Sequence, residues 1–348
     1  MQPTFPTQCG RAFYLTQPVY IVGHSATVGG KEAESILKPY IKRRIADPKY
    51  GQKTFEKAEA LLFLDTVRDA LKEAALSPRQ IDLFLAGDLL NQIVSSAYTA
   101  RELSIPYLGL YGACSTMAES LLVGSMLVSA GFARRAVCAT GSHFATAERQ
   151  YRGPLELGCQ RQPYAQWTVT GCGADVLARE GDGVRVTGGI VGRVVDYGVN
   201  DVANMGAAMA PAACDALHAF FTETDTAPGD YDMIVTGDLG KLGSDILRHL
   251  MQEKGITLGQ NYIDCGNIIF DAGQDAAQGG SGCGCAAVVL NTYLMSKLQA
   301  GEYKKVLFFA TGALMSLTST QQGETIPGIA HGVLLECPET ISLEKEPT

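Results

Sequence analysis

The feature that most constrains this chain is an internal repeat. Ala130-Gly131-Phe132-Ala133-Arg134-Arg135-Ala136-Val137 aligns without a gap with Ala300-Gly301-Glu302-Tyr303-Lys304-Lys305-Val306-Leu307, and both runs then reach Ala-Thr-Gly, at 139–141 and 310–312. A second pair, Ile81 to Asp88 and Tyr231 to Asp238, lies upstream of its own block in the same order. Self-similar blocks in a fixed order point to a supersecondary unit used twice. Length permits this, since 348 residues suffice for two units of roughly 150 residues each.

Between the matched blocks, strand and helix patterns alternate. Val19 to Gly23 reads as an opening strand and Lys31 to Lys57 as a polar surface excursion. A helix over 58–75 is broken by Ser77-Pro78, and a strand over 81–86 follows. A helix over 121–130 and strands over 136–140 and 168–177 complete the first half. Alternation of this kind predicts an α/β fold with a mixed or parallel sheet covered by helices. The polar, glycine-bearing run Ala178 to Gly183 marks the boundary, giving halves at 1–183 and 184–348. The second half opens with an alternating strand pattern over 184–195 and a helix over 207–221.

Composition excludes several function classes. A net charge of −8, with no basic cluster interleaved with aromatics, argues against nucleic acid as a partner. Apolar residues make up 46% and charged residues only 18%, which indicates extensive burial. The ten cysteines contain no Cys-x-x-Cys and no zinc spacing, so no metal site and no disulfide scaffold is expected. Gly23 to Lys31 fails as a phosphate loop, because Ser25 stands where the first glycine belongs and Glu32 where a magnesium-binding hydroxyl belongs. Gly280-Ser281-Gly282-Cys283-Gly284 lacks the ribose-binding acid of a dinucleotide site, so no cofactor is expected. No basic segment followed by an apolar core opens the chain, and the uncharged run 276–295 is a poor spanning helix because of its glycines and polar residues. A soluble, cytoplasmic chain is the expectation.

One cysteine stands apart. Cys114 follows an apolar approach and precedes the uncharged helical run 120–130. A thiol at a helix N-terminus meets unpaired N–H groups and the positive end of the dipole, which predicts thiolate character and a nucleophile.

A duplicated α/β unit whose first copy places a cysteine at a helix start resembles the thiolase superfamily, which includes thiolases and β-ketoacyl synthases. The resemblance implies a five-layer αβαβα arrangement with internal duplication. Further motifs narrow it. Ala139 to Arg152, Gln160 to Ala174, Phe270 to Asp275 and Ile326 to His331 closely resemble the stage V sporulation AD family of endospore-forming bacteria. That family implies binding of dipicolinate, pyridine-2,6-dicarboxylate, as free acid or calcium complex, during its uptake into the developing spore. It also implies work with membrane proteins of the same operon, peripheral association with the forespore or spore inner membrane, and a role bearing on germination. Thiolase-like proteins pair through an edge strand of the first half, so a homodimer is expected, with Ala136 to Ala139 or its neighbours as the pairing strand.

The resemblance can be weighed against chemistry. Condensing enzymes of this fold pair the cysteine with His and Asn, or with two His, from the second half. Here the corresponding loops read Thr236-Gly237-Asp238-Leu239-Gly240 and Gly279-Gly280-Ser281-Gly282, without either. An aspartate beside a developing oxyanion raises the barrier. Cys114 is then a vestigial nucleophile and the protein a non-catalytic binder. An acyltransferase or β-ketoacyl synthase using Cys114, and a scaffold subunit of a membrane transport complex, are the alternatives. A dianionic ring asks for Arg forks, neutral donors and an apolar wall. The candidate ligand-binding residues are Cys114, His143, Arg149, Tyr151, Arg152, Arg161, Gln166 and Asn204, with Asp201, the methionines at 205 and 209 and His331 as weaker candidates.

Overall fold

The computed structural model describes residues 7–151 and 162–338. The first half contains β1 (Thr7–Cys9), β2 (Ala12–Val28), β3 (Arg43–Arg44), α1 (Phe55–Glu73), β4 (Leu83–Asp88), α2 (Val94–Leu103) and β5 (Tyr107–Gly109). It continues with α3 (Thr116–Ser129), β6 (Arg135–Ser142), α4 (Phe144–Tyr151), β7 (Trp167–Thr168) and β8 (Gly171–Ala178). The second half runs through β9 (Val184–Ile190), α5 (Met205–Thr224), β10 (Met233–Thr236), α6 (Gly240–Glu253), β11 (Tyr262–Asp264) and α7 (Cys265–Ile268). It ends with β12 (Gly280–Ser281), α8 (Cys283–Val289), α9 (Met295–Gln299), β13 (Lys305–Ala313), α10 (Leu317–Gln321) and β14 (Gly328–Glu336).

Strand order shows the duplication directly. One half reads β2-β8-β6-β4-β5 and the other β9-β14-β13-β10-β11. In each, the first two pairings are antiparallel and the last two parallel. The halves join where β2 pairs with β9. Helices α1 and α2 cover the first half and α5 and α6 the second, while α3 packs against strands of both. With α8 beside α3, the layers are αβαβα.

The matched sequence blocks fold alike in detail. Asp82 accepts the Arg134 and Arg135 N–H groups at 2.8 and 3.1 Å, and Asp232 accepts those of Lys304 and Lys305 at 2.7 and 2.8 Å. Gly131 and Gly301 take φ of 81° and 69°, a left-handed turn that only glycine enters without strain, between helix and strand. Each aspartate thus ties the start of one parallel strand to the turn feeding its neighbour.

Two expectations need correction. Ala136 to Ala139 lies in β6, flanked by β4 and β8, so it offers no pairing edge; the open edge of this half is β5. The excursion after Lys31 is anchored rather than superficial, because Glu32, Ala33, Leu37 and Ile45 are buried and Glu32 accepts the Thr170 N–H at 2.9 Å.

Burial also lifts carboxyl pKa values. Glu32, Asp175 and Asp264 are each pushed up to about 7, mainly by desolvation. A group raised in the folded state binds its proton more tightly there, so its contribution is complete below the unfolded value of about 4 and is lost as pH rises through about 7. Stability should therefore fall by about 2 kcal/mol for each of these groups between about pH 5 and 7.5. Urea denaturation of parent and Asp175→Asn at both pH values checks this, the variant showing the smaller fall; an equal or larger fall in the variant contradicts the assignment.

Candidate functional site

The site lies where the two halves face each other at the N-terminal ends of α3 and α8. Gly112 to Ser115 turns sharply between β5 and α3, with Ala113 held at φ 51°, a left-handed conformation that costs a non-glycine residue on the order of 1–3 kcal/mol. That turn carries Cys114 to the floor of a cavity of about 50 Å³. Ser281 and Gly282, just ahead of α8, complete the floor. Ala147, Glu148 and Tyr151 of α4, with Leu89, form one wall, and Met205 and Met209 of α5 with Met315 the other. Tyr111 stands at the rim, its hydroxyl 3.3 Å from that of Tyr151, which donates to the Leu89 carbonyl at 2.7 Å.

Beneath the floor sits Asp238, fully buried. Its carboxylate accepts the Thr311 hydroxyl at 2.9 Å, the Ser281 hydroxyl at 3.1 Å and the Gly282 N–H at 2.9 Å, and is paired with the Cys114 thiol. Burial raises Asp238 to about 6, against the pull of these donors. Cys114 is raised well above the ordinary thiol range, first by burial and then by the Asp238 charge beside it. The thiolate expected from the helix N-terminus is therefore overturned. Desolvation and a neighbouring anion outweigh about half a unit charge of helix dipole. Among the described residues, the cavity lining contains no Lys, Arg or His, and no cluster of residues suited to a metal ion occurs.

Residues 9–336 match the family model for stage V sporulation protein AD. The stage V sporulation protein AD of Bacillus subtilis (strain 168) is 44% identical over 326 residues, 94% of this chain and 96% of that protein. The chain belongs to the stage V sporulation protein AD family. Its role is accordingly one in sporulation. Solved structures add the fold class. The 3-oxoacyl-[acyl-carrier-protein] synthase III of Aquifex aeolicus VF5 superposes with a TM-score of 0.58 at 15% identity, covering 91% of this chain and 99% of that one. Acetamide-bound Xanthomonas campestris OleA gives 0.62 at 15% identity, covering 92% and 99%. The fold of this family member is thiolase-like.

Of the residues singled out from sequence, Cys114, Tyr151, Met205 and Met209 line the cavity. His143 does not: its Nε2 lies 2.8 Å from the Pro48 carbonyl and its Nδ1 accepts the Ala145 N–H at 3.1 Å, so both ring nitrogens are used at the start of α4. Arg149 is on the outer face of α4, 3.1 Å from Glu56 and over the Phe55 ring. Gln166 is buried and donates to the carbonyls of Asp238 and Gly280, both at 2.7 Å, clamping the two floor loops from outside the cavity. Asn204 caps α5 by accepting the Ala207 N–H, and Asp201 accepts the Ala203 N–H nearby. His331 accepts the Gly192 N–H at 3.2 Å and is lowered to about 4 by burial. Arg152 and Arg161 lie outside the described residues. Sequence reasoning passed over Leu89, Glu148 and Met315, which carry no local signature and reach the cavity only through the fold.

A neutral, buried Cys114 should react slowly. Treatment with iodoacetamide at about pH 7.5 should label Cys114 at least about tenfold more slowly than the half-buried Cys9 and Cys337. Peptide mapping by mass spectrometry reads the three rates together, and faster labelling of Cys114 would restore the thiolate.

Proposed function

We propose that this protein is a non-catalytic, thiolase-fold binder of dipicolinate, free or as its calcium complex, serving dipicolinate uptake into the developing spore. One observation carries the reading: the cysteine at the helix start is tied to a buried carboxylate where condensation needs donors to an oxyanion. Such a cavity can hold a ligand without activating it once its flexible methionine wall moves outward, since its present volume is below the roughly 150 Å³ that takes a benzene ring. Tyr151 on one wall and the Met205, Met209 and Met315 side chains on the other suit a flat ring, since thioethers adapt to irregular shapes and favour aromatic contacts. The Ser281 and Tyr111 hydroxyls are the neutral polar groups nearest a bound carboxylate, and each reaches it by turning its hydrogen away from its present acceptor, Asp238 or Tyr151. The ligand's charge is met by calcium in the chelate.

The protein acts as a homodimer beside membrane partners in this reading. The open β5 edge, with Leu108 46% exposed, supports the pairing. Among the described residues no helix is long and apolar enough to cross a membrane.

Calorimetric titration with dipicolinate, alone and with equimolar calcium, tests the proposal. Saturable binding is expected, with Tyr151→Ala weakening it about tenfold or more through loss of the ring wall and Arg149→Ala within about twofold of the parent. Absence of binding to either form by protein with an intact fold would remove the reading. Incubation with acetyl-CoA and malonyl-CoA should give no condensation product; turnover abolished by Cys114→Ala would establish an enzyme instead.

A further inference from the structure

The floor of the cavity is already occupied, from below, by an anion belonging to the protein. Three groups that line the cavity, the Cys114 thiol, the Ser281 hydroxyl and the Gly282 N–H, all direct their hydrogens to Asp238. The second oxygen of Asp238 takes the Thr311 hydroxyl. These are the donors an entering carboxylate would seek. A ligand anion placed on this floor meets both a like charge beneath it and donors turned the other way.

We propose that anion capture at this site is proton-linked: binding of a carboxylate ligand is accompanied by uptake of one proton from solvent onto the Asp238 carboxyl, which releases the floor donors to the ligand. The inference rests on the proposed ligand class. Once protonated, Asp238 carries no charge and its O–H becomes a donor. The Ser281 hydroxyl and Cys114 thiol then turn their hydrogens into the cavity by rotation about one bond each. No covalent bond to carbon, sulfur or the ligand changes.

The surroundings favour that proton. Asp238 faces Cys114 ahead of α3, Cys283 and Cys285 of α8, and Asp264 and Cys265 at the β11–α7 junction. None of these is cationic, and across the cavity α4 contributes a further carboxyl, Glu148. With an unliganded value of about 6, Asp238 is mostly ionised at neutral pH and lies within reach of protonation when a second anion arrives. Sign follows directly: because the complex holds the extra proton, affinity rises as pH falls.

The experiment is calorimetry on the full chain with dipicolinate at about pH 6 to 8, where both ligand carboxyls are ionised, in pairs of buffers of different ionisation enthalpy. Affinity should rise about tenfold per pH unit fall above the Asp238 value, with proton uptake approaching one per site. Asp238→Asn should bind more tightly than the parent near pH 7.5, about tenfold or more, and lose both the pH dependence and the uptake. The parent measurement alone suffices if that variant fails to fold. Dipicolinate binding without proton uptake overturns the linkage and leaves the ligand assignment standing. Pyridine-2-carboxylate and benzoate serve as further probes. If they bind with proton uptake while dipicolinate does not bind at any pH, the ligand assignment falls and the linkage stands. If none of the three binds, both fall.

Discussion

Everything in this molecule depends on two helices fitting between the two halves of one continuous sheet. Helices α3 and α8 form the middle layer and bury nearly every face, so their contacts with the strands must be close. A Cβ on Gly124 would stand 2.7 Å from the Cys138 sulfur, and one on Gly284 would stand 2.4 Å from the Gly171 carbonyl oxygen. Strands answer with the same economy, since a Cβ on Gly173 would stand 2.4 Å from the Ala287 carbonyl oxygen. Small residues at this seam explain the low charge content and the many buried cysteines, which fill gaps as compact apolar groups. Close approach also fixes where a cavity can form. The two helices begin side by side, and only beyond their N-termini do the halves part.

What that cavity can do is set by electrostatics in a dry place. A helix start offers N–H donors, and in this fold such a start can sustain a thiolate. Here the nearest charge is negative and no described cation faces it, so the thiol stays protonated. Gln166 belongs to the same arrangement. By holding the carbonyls of Asp238 and Gly280 it keeps the two floor loops in register, and the β7–β12 pairing ties Trp167 and Thr168 to Gly280 and Ser281 beside it. Loss of Gln166 would act on the cavity through loop position and not through ligand contact.

The duplication, the α/β class and the cysteine turn were legible because each rests on local or periodic signals: a left-handed glycine, an aspartate at a strand start, a run of apolar residues. Ligand roles were less legible. His143 and Asn204 stand near the cavity in sequence, yet each satisfies backbone groups at a helix start, a role that the residue type equally suits. Arg149 is one helix face away from Tyr151, and a two-residue separation turns it toward Glu56 and solvent. The edge strand was misplaced for a related reason. Ala136 to Ala139 reads as apolar whether it is an edge or an interior strand, and only the pairing with β4 and β8 tells which.

The two halves also show how a site arises from a repeat. Asp88, at the end of β4, and Asp238, two residues beyond β10, occupy the same place in the matched blocks, and burial raises both. Asp88 serves its own half: it accepts the Leu90 N–H and both the N–H and hydroxyl of Ser96, fixing the start of α2. Its neighbouring threonine, Thr140, donates to the Gly87 carbonyl instead. In the second half Thr311 donates to Asp238, whose other oxygen reaches Ser281 and Gly282 ahead of α8. A carboxylate that caps a helix in one copy has become, in the other, the acceptor around which a binding floor is organised. The helix cap serves stability alone, whereas the floor carboxylate sets which hydrogens a ligand can meet.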